Sequence, residues 1–252
     1  MHSFLLIGQS NMAGRGRIAD AHEIDTTHIF TLINGRWHKM FRPINPDCHF
    51  AGVNLAESFA EKYAKEHNVE VGLICSAEGG TKLDQWMPGE LLYDNAVNCA
   101  KLAQRTSNIV GVLWHQGESD CSYENYSTYK VRFEKIMASL RKDSNLHNVP
   151  FLLGGLGDYL ADCTRFDFSN YTYVNEALKS ITQENELTAF VPADGLTAKN
   201  DTVHFDSDSL YEFGLRYFEV FEQFKNKLVK NTENCVAEDI KRSELELIYK
   251  KA

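Results

Sequence analysis

Five short apolar runs with helical patterns between them constrain this chain more than any other feature. They are Phe4–Ile7, Val71–Cys75, Ile109–Trp114, Pro150–Leu153 and Thr188–Val191. None alternates polar with apolar residues, so each is expected to be covered on both faces, as parallel strands are. Between them Leu55, Phe59 and Tyr63 recur every four residues, with Glu61 and Lys65 paired outside. Tyr126, Tyr129, Phe133, Ile136, Met137 and Leu140 mark a longer stripe. Leu210, Phe213, Tyr217, Phe221, Phe224 and Leu228 mark the last, opened by the capping cluster Asp206-Ser207-Asp208-Ser209. The alternation predicts a three-layer α/β/α domain around a mainly parallel, five-stranded, flavodoxin-like sheet. No Pro/Ser-rich linker divides it. Residues 1–231 are therefore expected to form one domain, and residues 232–252 a C-terminal extension, either a surface helix or a frayed tail. Residues 8–53 exceed an ordinary strand-to-helix connection and are expected to build part of a site.

Charge and length narrow the function classes. The 252 residues hold 35 Asp+Glu against 26 Lys+Arg, a net charge of -9. Nucleic-acid binding needs a dense basic stripe, so a nucleic-acid partner is not expected. A bilayer span needs about 20 consecutive apolar residues, and no such run occurs. No membrane partner is expected. Phe4-Leu5-Leu6-Ile7 is shorter than the apolar core of a signal peptide, about 7–15 residues, and reads as a buried first strand. The expectation is a cytoplasmic protein. The six cysteines are scattered without a Cys-x-x-Cys pair. That pattern predicts neither a disulfide framework nor a zinc site, and no metal or cofactor is expected.

In open parallel sheets, ligands bind beyond the carboxyl ends of the strands. The segments that follow the five runs are all polar and glycine-rich. They are Gly8-Gln9-Ser10-Asn11-Met12-Ala13-Gly14-Arg15, Ser76-Ala77-Glu78-Gly79-Gly80-Thr81, His115-Gln116-Gly117-Glu118-Ser119-Asp120, Gly154-Gly155-Leu156-Gly157-Asp158 and, after Asp194-Gly195, Asp201-Thr202-Val203-His204-Phe205. Ser10 is either a helix N-cap or a nucleophile at a helix start, where N–H groups face a developing anion. A nucleophilic serine needs a base, and the base an orienting carboxylate. Asp201-x-x-His204 offers both on one loop. The Ser10 N–H, Gly79 or Gly80 N–H and Gln116 amide are candidate oxyanion donors, although Gln116 equally suits a loop tether. Glu118 is a candidate auxiliary acid. Asn11, Trp86 and His115 are candidate substrate contacts, with Trp114, Tyr93 and Phe205 as further aromatics near the motifs. Two other readings stand beside catalysis. One is a phosphate or nucleotide cradle at Gly8–Arg17, and the other a catalytically inactive carbohydrate-binding protein.

The blocks Gly8-Gln9-Ser10-Asn11-Met12-Ala13-Gly14, Gly79-Gly80, Trp114-His115-Gln116-Gly117-Glu118-Ser119-Asp120 and Asp201-x-x-His204-Phe205 occur in that order. Together they resemble the SGNH (GDSL-type) hydrolases, in the sialate O-acetylesterase/acetylxylan esterase branch of carbohydrate esterases. The resemblance implies Ser10 as nucleophile, His204 as general base and then acid, and Asp201 as its orienter. It also implies an oxyanion hole from Ser10, the glycine pair and Gln116, where the wider superfamily has asparagine. The implied substrate is an acetylated saccharide, hydrolysed through an acetyl-serine intermediate.

Overall fold

A computed structural model describes residues 1–227. The expected extension at 232–252, and Leu228, lie outside the described residues. Seven strands form one sheet in the order β3-β2-β4-β1-β5-β6-β7. They are β1 (His2–Gly8), β2 (Ile29–Ile33), β3 (Arg36–Lys39), β4 (Val71–Cys75), β5 (Asn108–His115), β6 (Phe151–Gly154) and β7 (Thr188–Val191). The five runs form five neighbouring parallel strands, as expected for a flavodoxin-like order. The expected count of five is too low, because β2 adds parallel to β4 and β3 antiparallel to β2. This hairpin comes from within residues 8–53. Asn34 and Gly35 at its turn both have positive φ, 50° and 74°, as a two-residue turn with the right twist requires.

Alternation along each strand builds two cores. Phe4 and Leu6 of β1 face one side, and Leu5 and Ile7 the other, all fully buried. The first side is covered by α2 (Leu55–His67) and α7 (Ser207–Phe221). The second is covered by α3 (Leu91–Gln104), α5 (Tyr129–Asp143) and α6 (Tyr171–Glu184). Two further helices, α1 (Ser10–Ala13) and α4 (Tyr123–Tyr126), are single turns. Helix α2 starts on a capping box. The Asn54 side chain accepts from Ala56 N–H, and Glu57 accepts from Asn54 N–H. Arg42 closes over buried Glu57 at 2.7 Å. Burial pushes the Glu57 carboxyl up, and Arg42 and Asn54 hold it back.

Helices α2 and α7 meet at Gly214. A Cβ there would lie 2.1 Å from both Leu55 O and Ser58 Oγ. Helix propensity alone favours Gly→Ala by about 1 kcal/mol, but overpacking costs about 1–3 kcal/mol, and here one obstacle is backbone. Gly214→Ala is therefore expected to lower unfolding stability in urea. Unchanged or raised stability would show that the two helices separate freely.

Candidate active site

The site begins with a close approach of two strand ends. Gly8 has φ 144°, and a Cβ on it would lie 2.0 Å from His115 O. Only glycine lets β1 turn here against β5, and Gln9 N–H then donates to that same His115 O at 2.9 Å. The Gln9 side-chain oxygen accepts from Gly117 and Ser119 N–H, each at 3.4 Å. Ser10 therefore opens α1 at a fixed place beside the 115–120 segment. Its own N–H precedes any partner along that helix.

The partner loop after β7 is shaped by Asp201. Its Oδ1 accepts from Val203 N–H at 3.0 Å and His204 N–H at 2.9 Å. Its Oδ2 faces His204 Nδ1 at 2.9 Å. A carboxylate accepts only, so Nδ1 carries the proton and Nε2 is left as the acceptor. Nε2 lies 3.0 Å from Ser10 Oγ, across 194 residues of sequence. Burial pushes the Asp201 carboxyl up. Hydrogen bonds from the His204 ring, Val203 N–H and His204 N–H outweigh that and bring it down to about 2. Ser10 is 6% exposed, enough to be reached and too little to be solvated freely.

Asn11 fastens this loop to the Ser10 segment. Its Oδ1 accepts from Phe205 N–H at 3.2 Å, and its Nδ2 donates to Val203 O at 3.3 Å and Glu118 Oε1 at 2.6 Å. Phe205 is buried among His115, Tyr159 and Phe213, with ring centres 5.1–5.6 Å away.

Comparison with known proteins now bears on this geometry. The sequence profile of a family described as carbohydrate esterase, sialic acid-specific acetylesterase, matches residues 1–223. The chain belongs to that family. A probable carbohydrate esterase of Arabidopsis thaliana is 27% identical over 238 residues, which cover 84% of this chain and 86% of the relative. A solved Arabidopsis thaliana structure, 25% identical, superposes with a TM-score of 0.78 over 88% of this chain and 98% of its own. The structure of NanS, 18% identical, shares the fold with a TM-score of 0.70, over 90% and 98% of the two chains. The protein is thus a carbohydrate O-acetylesterase, a carboxylic ester hydrolase of SGNH type.

Several residues of the esterase lie where the sequence did not place them. The Gln116 amide is not a free donor. It is fully buried and donates to Thr81 O at 2.9 Å and Asp120 Oδ2 at 2.6 Å, while its oxygen accepts from Tyr129 O–H. Both amide hydrogens are used, so Gln116 is a loop tether. Burial raises the Asp120 carboxyl, against donors from Gln116, Leu83 and Arg132. Asn11 and His115 are fully buried and Trp86 nearly so. None of the three has a face for substrate. Trp114, Tyr93 and Phe205 are buried in the same way. Trp86 instead donates its indole N–H to Thr81 Oγ1 at 3.0 Å. Glu118 makes no hydrogen bond or ion pair with His204 among the described residues. It faces His115 Nε2 at 3.4 Å and receives Asn11. Burial raises its carboxyl, but His115 and Asn11 bring it below the usual carboxylate range.

The glycines separate. A Cβ at Gly79 would lie 3.6 Å from Ser10 Cβ and 2.5 Å from Arg15 Nη2, whereas one at Gly80 meets nothing. Gly79 therefore borders Ser10, with its N–H held by the Glu78 carboxylate at 3.0 Å. The same gap reveals Arg15, which sequence reasoning treated only as part of a phosphate loop. Its guanidinium donates to Gly14 O at 2.9 Å and approaches Cys48 Sγ at 3.6 Å. Among the described residues it has no acidic partner.

Because the Asp201 carboxyl is lower in the folded state, its ionised form stabilises the fold. That contribution is complete above about pH 4 and is lost as pH falls through about 2. Asp201→Asn is expected to reduce kcat by about 10²–10⁴ and to lower stability at neutral pH. The stability gap from wild type should close between about pH 4 and 2 in pH-dependent urea denaturation. A gap that stays constant with pH would contradict this charge pairing.

Proposed function

We propose that the esterase works by two-step acyl transfer through Ser10, on an acetylated sugar that also carries a carboxylate. The observation that carries the first half is the pair of contacts along Ser10 Oγ, His204 and Asp201, at 3.0 and 2.9 Å. His204 Nε2 takes the hydroxyl proton as Oγ attacks the acetyl carbon, and Asp201 stabilises the imidazolium that results. Collapse of the tetrahedral intermediate releases the sugar hydroxyl with the proton returned from His204. Water, activated by the same imidazole, then attacks the acetyl-serine and frees acetate. The oxyanion is received by the Ser10 and Gly79 N–H groups, the latter after the exposed Glu78 side chain turns away. Such donors act on charge that exists only in the transition state.

Arg15 favours an acidic sugar. A guanidinium without a carboxylate partner, bordering the gap beside Ser10, retains donors suited to a planar anion. Acetylated sialic acid carries such a group, and neutral acetylated xylan does not. The family description as sialic acid-specific supports the same choice.

Acetate release from acetylated sialic acids and acetylated xylo-oligosaccharides tests both halves. Wild type is expected to prefer the sialate, and Arg15→Gln to shrink that preference about 10–100-fold, the worth of a charge-assisted hydrogen bond. Ser10→Ala should lose about 10³-fold or more on either substrate. Equal rates on both substrates in wild type and Arg15→Gln would remove the acidic-sugar reading. Full activity in Ser10→Ala would remove the mechanism.

A further inference from the structure

Phe50 is 91% exposed, the most extreme of the exposed large hydrophobic side chains described. It also holds φ 62°, in the left-handed region that bulky residues avoid. Burial of an aromatic ring favours folding, and this residue forgoes it while accepting an unfavourable backbone. Packing within the chain does not explain its presence.

The loop that carries it is braced on both flanks of the nucleophile. Gly52 N–H donates to Gly14 O at 3.0 Å, and a Cβ on Gly52 would lie 2.0 Å from Gly16 O. Cys48 Sγ meets Arg15 Nη2 at 3.6 Å. Asn45 Nδ2 donates to Ala77 O at 3.1 Å, two residues before the Gly79 that borders Ser10. Phe50 is two residues from both Cys48 and Gly52, within roughly 7 Å of each along the backbone. It is therefore held at the rim of the site on the side of Arg15. The aromatic rings of the motif segments, Trp86, Trp114, Tyr93 and Phe205, are all buried, so none competes with it for a ligand.

We infer that Phe50 is the platform on which the sugar ring of the acetylated substrate stacks, and that it determines specificity for saccharide esters over simple ones. A pyranose presents one face of C–H groups, which matches an exposed aromatic face, while its hydroxyls stay in water or reach polar neighbours. The neighbouring ring of His49, 6.1 Å away and tilted, provides such a neighbour. The inference rests on the carbohydrate esterase reading and adds the residue that recognises the sugar.

The test compares an acetylated saccharide with p-nitrophenyl acetate, which has no sugar, on the full chain. Phe50→Ala is expected to raise KM for the saccharide about tenfold, in line with the loss of one aromatic contact, and to leave p-nitrophenyl acetate turnover unchanged. Phe50→Trp should retain the saccharide KM. Phe50→Gly, which relieves the left-handed backbone, should behave like Phe50→Ala. Unchanged saccharide KM in Phe50→Ala overturns the inference, as does a parallel loss on both esters or full saccharide binding by Phe50→Gly. Failure of wild type to hydrolyse any acetylated saccharide while still cleaving p-nitrophenyl acetate would instead remove the carbohydrate reading itself, and this inference with it.

Discussion

Asn11 holds the two ends of the Ser10–His204 pair together. Its single amide receives the backbone of the histidine loop at Phe205, donates back to that loop at Val203 and donates to Glu118 beneath it. Ser10 is the residue immediately before it. The amide thus converts a separation of 194 residues into a hydrogen bond of 3.0 Å between serine and imidazole. Because Asn11 is fully buried, these bonds do not compete with water, and each would be costly to leave unmade. The hydroxyl and the ring reach one another because both are measured from the same side chain.

Below that amide lies an unusual amount of buried polarity. His115, Gln116 and Asp120 are fully buried, and Glu118 is 2% exposed. Several of the bonds there join segments that are distant in sequence. Gln9 holds Gly117 and Ser119, Gln116 holds Thr81 and Asp120, and Asp120 holds Leu83 and Arg132. Ionised groups under such burial need partners, and here the partners are the loops that frame Ser10. The network explains how glycine-rich segments keep one conformation: their backbone groups are bound from below. The surface above is then free for the substrate, with Gly79 against Ser10 and Arg15 beside them.

The parallel strands were legible because burial on both faces leaves continuous apolar runs, and Phe4–Ile7 and Ile109–Trp114 show that plainly. The hairpin was written in the chain too. Asn34-Gly35 between Ile29–Ile33 and Arg36–Lys39 is a strong turn signal, but the strands on either side of it are short and sit inside a long connection, so they stand out less than the buried runs. The contacts that join Ser10, His204 and Asp201 could be anticipated, since residue type and local spacing already restrict what Asp-x-x-His can do. The direction of a side chain is different. Gln116 and Trp86 were near the right place in sequence, yet both turn inward, to Thr81 and Asp120 in one case and to Thr81 in the other. Such choices are set by packing across the sheet, which no local pattern records. Arg15 shows the converse: its importance lies in the acid it lacks, and an absent partner leaves no motif.

The proposed mechanism requires that the Ser10 hydroxyl be made nucleophilic by His204. Intact-protein mass spectrometry with peptide mapping, after exposure to a fluorophosphonate, reads this most directly. One phosphonyl adduct is expected, on Ser10, formed rapidly by wild type and strongly slowed in a folded His204→Ala protein. A folded wild-type protein that stays unlabelled, or that carries its adduct on another residue, would contradict it.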